Sequence, residues 1–155
     1  MNQKSDHAPV VVNPFLIYIG LGVVAILLQQ VLPLYRIPSL PAHIAGLSLV
    51  AVNFVFGLPA LRGMFQAKTS PNPGHPSTSL VVSGIYRLTR NPMYIGLTLV
   101  FTGLLIYFQI SWGLVFAPIV IWLITKWVIF PEEQYLEYKF GEDYRQYKSM
   151  VRRWI

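Results

Sequence analysis

The chain has 155 residues, of which 54% are hydrophobic and only 12% charged, about half the charged share of an ordinary soluble domain. So few charges cannot coat a water-facing surface, and the length holds one domain whose solvent is in part lipid. Cysteine is absent, which excludes disulfides, thiolate metal sites and a cysteine nucleophile, and the formal net charge of +6 comes from residues that flank apolar segments rather than forming a nucleic-acid-binding stripe.

A polar N-terminus, residues 1–14, leads into a first apolar run from about Phe15 to Tyr35. Crossing a bilayer takes about 20 mostly apolar residues, so this run is predicted to span. It is longer than a signal-peptide core and no small-residue cleavage site follows it. A proline-punctuated loop, Leu32 to Pro38, comes next. The second span is predicted from about His43 to Leu61, with Asn53 and Pro59 inside it. Asn53 reads best as a hydrogen bond to a neighbouring helix.

Residues 62–92 form the longest connection, and the composition of Thr69 to Ser79 suits disorder as well as function. The stretch from Leu80 is more apolar and is predicted to be ordered. Arg87 and Arg90 follow, with Tyr86 and Tyr94 close by. Pro92 suits the first turn of a third span, about Met93 to Ile110. Free N–H groups at that helix start, with arginine beside them, make an anion site. On spacing alone, arginines that only set topology and an interfacial tyrosine belt account for the same residues at least as well.

Gln109, Ser111 and Gly113 mark a tight turn into a fourth span, about Trp112 to Phe130, giving an antiparallel hairpin. Lys126 near its end reads as a snorkelling side chain. Pro131-Glu132-Glu133 is a natural helix opening, and it also offers a carboxylate to a polar or cationic ligand. Five of the six acids lie between Glu132 and Asp143. In the tail, residues 131–155, Leu136, Phe140, Tyr144, Tyr147, Val151 and Trp154 form an apolar helical stripe, with Gly141 ending one short helix before the next. This stripe should rest on the membrane surface or on the loop. Lys and Arg cluster in the middle loop and tail, so both termini and that loop are predicted to be cytoplasmic. The fold class is an all-α integral membrane protein of about four spans with an amphipathic C-terminal helix.

Three pieces resemble the isoprenylcysteine carboxyl methyltransferase and phospholipid methyltransferase superfamily. They are Pro76 to Arg87 leading into Arg90-Asn91-Pro92-Met93-Tyr94-Ile95-Gly96, Pro131-Glu132-Glu133 with Leu136, and Phe140-Gly141-Glu142-Asp143-Tyr144 with Tyr147, Val151 and Arg153. The likeness covers roughly residues 73–154. It implies a small membrane enzyme using S-adenosylmethionine, with the loop, the Glu pair and the tail folded over the helix ends to enclose that cofactor. By position, Tyr86, Arg90, Asn91, Pro92, Tyr94 and Gly96 would line one side of the cofactor site, and Glu132 and Glu133 another. Asn91 stands where the commonest family form has His; it can hydrogen-bond but cannot titrate near neutrality.

The residues assigned to catalysis are Glu133, beside Glu132 a base for an amine acceptor, and Arg153, a steering cation for an anionic one. The carboxylate of a prenylated cysteine ranks first as acceptor and a phospholipid amine second, with the lipid-like substrate entering from the bilayer. A membrane reductase using NADPH and a non-enzymatic membrane scaffold remain as other classes.

Overall fold

The computed structural model describes residues 8–72 and 75–155; residues 1–7 of the polar N-terminus, and Pro73 and Gly74 of the middle loop, lie outside the described residues. The described residues are helical with no strand. In chain order the helices are α1 (Pro14–Val31), α2 (Ser39–Gln66), a 3-10 turn (Gly84–Arg87), α3 (Pro92–Tyr107), α4 (Trp112–Ile124), a π-helical turn (Thr125–Ile129), α5 (Phe130–Phe140) and α6 (Glu142–Met150).

Three helical rods are long and apolar enough to cross a membrane: Pro14–Val31, Ser39–Gln66 and Trp112–Phe140. The fourth expected span, α3, has 16 residues. At 1.5 Å per residue it reaches roughly 24 Å, short of a hydrocarbon core of about 30 Å. Its run ends at Tyr107 because Gln109 takes a left-handed conformation, φ 59°, to turn the chain into α4.

α3 lies against α2 at very short range. A Cβ built on Gly46 would stand 2.6 Å from the Gly103 carbonyl, and one on Gly103 would stand 2.8 Å from the Gly46 carbonyl. Only glycine lets the two backbones meet like this, the small-residue packing that membrane helices use where no hydrophobic force drives them together. α1, α3 and α4 bury a second seam around Tyr18, Phe101, Phe116, Val120 and Ile124.

Pro131 does not open a separate helix. α4, the π-turn and α5 run on as one rod of 29 residues, Trp112–Phe140. Proline cannot donate to the carbonyl four residues back, and its ring crowds that carbonyl, here Trp127. The helix widens into the π-turn just before Pro131, and the Trp127 carbonyl instead accepts the Val11 N–H at 3.1 Å. Such turns need a local cause, and this one has an identified proline. The rod is roughly 43 Å long, so its polar end beyond residue 130 projects past the hydrocarbon.

The middle loop is held at both ends. The Thr78 N–H donates to Thr69 Oγ1 (3.1 Å), Thr78 Oγ1 to the Lys68 carbonyl (2.7 Å) and Ser79 Oγ to the Ala67 carbonyl (2.6 Å). The Ser77 N–H donates to the Tyr135 hydroxyl at 3.2 Å, which fastens the loop to α5. The apolar stripe of the tail packs on this loop: Tyr144 and Tyr147 are buried with Ala60, Tyr86, Leu80 and Val81.

Candidate functional site

The loop, α5, α6 and the C-terminal segment converge where α2 ends and α3 begins. Glu133 sits at the centre, 5% exposed. Arg153 meets it with two parallel hydrogen bonds, Nε to Oε1 at 2.9 Å and Nη2 to Oε2 at 2.8 Å. This fork-on-carboxylate geometry is the strong form of an ion pair. Arg90 Nη2 approaches Oε1 of the same carboxylate at 3.3 Å. The Arg153 guanidinium also stacks on the Phe130 ring, 4.4 Å from its centroid. The bond to Glu133 holds Arg153 above its usual range, against the opposing effect of its partial burial.

The segment carrying Arg153 is fastened by main-chain contacts. The Arg90 N–H donates to the Arg152 carbonyl at 2.9 Å. The Arg153 carbonyl accepts from Thr89 Oγ1 at 3.1 Å and from Asn91 Nδ2 at 3.0 Å. Trp154 Nε1 donates to Thr125 Oγ1 in the π-turn at 3.2 Å. Asn91 is therefore a staple between the start of α3 and the tail, a task that needs a donor and no titration.

Glu132 is held differently. Its Oε2 accepts the Tyr94 hydroxyl at 3.0 Å. Burial raises its carboxyl to about 7, the Tyr94 bond pulls the other way, and the nearby Glu133 charge adds to the rise. Two adjacent carboxylates thus have different characters: Glu133 is neutralised by arginines and Glu132 is poised near neutrality. Burial also pushes the Tyr86, Tyr144 and Tyr147 hydroxyls well above their ordinary value, so all three are neutral at physiological pH.

Two cavities meet at this cluster. The larger, about 530 Å³, runs between α2 and α3 and is lined by Phe54, Leu58, Met93, Leu97 and Val100, with Phe15 at its rim. Its volume is that of an ordinary small-molecule pocket. The smaller, about 70 Å³, lies under the loop among Thr69, Ser77, Ser79 and Tyr144. Tyr86, Arg90, Asn91 and Glu132 belong to both walls. Arg90 Nε and Nη1 and the Tyr86 hydroxyl are buried with no hydrogen-bond partner among the described residues. Buried guanidinium N–H groups without acceptors are rare and call for a ligand group.

The structure brings Tyr86, Arg90, Asn91, Pro92, Tyr94, Glu132 and Glu133 onto or beside these walls. Gly96 is elsewhere: it lines neither cavity and faces Asn53 and Gly57 in the α2–α3 seam. Arg153 stands behind Glu133 and also lines neither cavity, so its contact with the cavities is through Glu133. Three contributors were missed by sequence reasoning. Thr89 is fully buried in the staple, and Asn13 and Phe15 at the start of α1 line the large cavity. Asn13-Pro14 as a cap and first-turn pair was the available signal for α1's start, since Asn13 Oδ1 accepts the Phe15 N–H at 3.0 Å.

Residues 41–143 match the model of the phospholipid methyltransferase family. The chain belongs to that family. It is a membrane methyltransferase of the isoprenylcysteine carboxyl methyltransferase and phospholipid methyltransferase superfamily. An uncharacterized protein of Haemophilus influenzae (strain ATCC 51907 / DSM 11121 / KW20 / Rd) is 40% identical over 63 residues, which is 41% of this chain and 100% of that protein. No solved structure matches the chain. The family match takes in Arg90, Asn91, Glu132 and Glu133, whereas Arg153 and the α1 wall of the cavity fall outside it.

Proposed function

We propose that this membrane methyltransferase uses S-adenosylmethionine to methylate a lipid-borne acceptor lodged between α2 and α3, and that the acceptor group is an amine. The observation that carries the reading is the shared wall, where Arg90 with unpaired N–H groups and Glu132 poised near neutrality face one large apolar cavity. When bound, S-adenosylmethionine supplies an electrophilic methyl group on a sulfonium. The residues present fit it: Arg90 and Tyr86 have unpaired donors for its carboxylate, and Glu132 offers a counter-charge.

Glu132 has a second task with an amine. An ammonium must lose its proton before it is nucleophilic, and a carboxyl near 7 is matched to accepting that proton at neutral pH. Tyr94 orients the carboxyl for it. Glu133, itself held by Arg153, positions Arg90, and Asn91 fastens the tail beside it. The apolar wall excludes water and aligns the acceptor, and alignment alone is worth roughly 7–11 kcal/mol in such displacements.

The carboxylate of a prenylated cysteine is the second reading. It is favoured by Arg90's free N–H groups, which would serve an anionic acceptor equally well. The positive-inside pattern supports a cytoplasmic loop in either case.

The test is transfer of labelled methyl from S-adenosylmethionine to phosphatidylethanolamine and to N-acetyl-S-farnesylcysteine by protein purified in detergent. Transfer to the phospholipid that Glu132→Gln abolishes supports the amine. Transfer to the prenylcysteine and not to the phospholipid supports the carboxylate. A folded protein that fails to bind S-adenosylmethionine refutes both, and NADPH binding in its place would mark a reductase.

A further inference from the structure

Asn53 lies inside the apolar part of α2 and lines the larger cavity. Its wall neighbours are Phe54, Leu58, Leu97 and Val100. An amide at that depth is expected to bond an adjacent helix. Instead, the Asn53 carboxamide forms no hydrogen bond with the described residues. Polar groups within a bilayer that lack a partner are costly and are functional by default.

Its orientation is built in. Asn53 Oδ1 fills the place that a side chain on Gly96 would need, and a Cβ on Gly57 would come within 3.0 Å of it. Nδ2 lies farther off, 3.8 Å from the same Gly57 position. The two glycines seat the oxygen, which leaves the amide N–H groups as the donors that this cavity-lining residue can offer. Gly96 is one helical turn beyond Pro92, so this point is roughly 6 Å deeper than the start of α3. The charged groups lining the cavity are Arg90 and Glu132, among the described residues, and both belong to the cluster beyond that helix start. An uncharged hydrogen-bond acceptor suits the deeper position, since an anion there would lack a dedicated counter-charge.

We propose that Asn53 is a specificity-determining residue whose Nδ2 donates to an uncharged carbonyl oxygen on the membrane-proximal part of the acceptor. This rests on reading the cavity as the acceptor site. Two molecules carry such a carbonyl: a glycerophospholipid through its acyl esters, and an N-acylated prenylcysteine through its amide. Gly96 thereby gains a role as the seat of Asn53, separate from any contact with a cofactor.

The experiment offers purified full-length protein equal mixtures of two ligands and counts the adducts by native mass spectrometry without cofactor. One arm pairs diester with diether phosphatidylethanolamine of equal chain length. The other pairs N-acetyl-S-farnesylcysteine with S-farnesylthiopropionic acid, which lacks the acetamide. The wild type is expected to favour the carbonyl-bearing member about 3–10-fold, the range for one uncharged hydrogen bond, in one arm, and that arm identifies the source. Asn53→Ala and Asn53→Leu should bring the ratio to unity with the melting temperature retained, and Gly96→Ala should lower it by displacing the amide. Equal binding by the wild type in both arms overturns the proposal whatever the variants do. So does a preference that survives both Asn53 substitutions. A carbonyl preference without methyl transfer supports Asn53's role and removes the catalytic reading; transfer without the preference does the reverse.

Discussion

The main-chain N–H of Val11 donates to the carbonyl of Trp127 at 3.1 Å, far across the sequence and at the π-turn of the longest apolar rod. Pro131 has no N–H to give that carbonyl. Val11's side chain is itself exposed, so the contact is purely of the backbone. Val11→Pro should remove the donor, orphan the carbonyl and destabilise the protein by about 1–3 kcal/mol. Val11→Ala keeps the N–H and should stay within about 0.5 kcal/mol of wild type. Unfolding in detergent, followed by circular dichroism, reads both.

Glu133 is expected to be the most sensitive position of the site for stability. Glu133→Ala leaves Arg90 and Arg153 with no carboxylate between them, and losing one partner of a buried ion pair costs about 3–5 kcal/mol. Arg153→Ala should cost less, because Arg90 remains beside Glu133. Arg153→Lys should fall between wild type and alanine, since an ammonium cannot form both parallel bonds or stack on Phe130 in the same way. Melting temperatures ordered otherwise would contradict this geometry.

The pH dependence follows from Glu132. Its carboxyl is raised from 4.5 to about 7 in the folded protein, so the native state binds the extra proton between those values. Stability contributed by this group is full below about 4.5 and declines as pH rises to about 7, then levels off. Activity on an amine should run the opposite way: kcat/KM should climb through pH ~7 as the free enzyme's base ionises. Glu132→Gln should flatten both profiles. A wild-type rate that is independent of pH between 5.5 and 8 would remove Glu132 as the base.

Glycines separate by location. Gly46→Ala and Gly103→Ala each force the α2 and α3 backbones apart and should lower the melting temperature. Gly20 has no atom within 4 Å of its Cβ position, so Gly20→Ala should be neutral or slightly stabilising, by up to about 1 kcal/mol. Parallel melts of the three variants suffice to check the contrast.

The apolar runs, the turn at Gln109 and the break at Gly141 were legible because hydropathy, turn residues and glycine punctuation are local signals. The grouping of Arg90 with the Glu pair was legible through the order of its motifs. What stayed hidden depends on partners distant in sequence. Pro131 looks like a helix opening from its neighbours, while the Val11 N–H that meets the Trp127 carbonyl comes from the other end of the chain. Thr69 to Ser79 has the composition of a disordered loop, yet Ser77, Thr78 and Ser79 in it are held by bonds to Tyr135, Thr69 and Ala67. Gly96 looked like a cofactor contact because its motif surrounds it, while the reason for the missing side chain is Asn53, on another helix.

The close meeting of α2 and α3 at Gly46 and Gly103 also restricts how the protein can breathe. With carbonyls pressed against glycine Cα atoms, neither helix can slide or rotate past the other without steric conflict, so the far half of the pair behaves as a fixed pivot. The wall that rests on this pair is made by another part of the chain. The segment before α1 is tied to Trp127 by a main-chain bond, and Asn13 just after that bond and Phe15 in the first turn of α1 stand on the cavity wall.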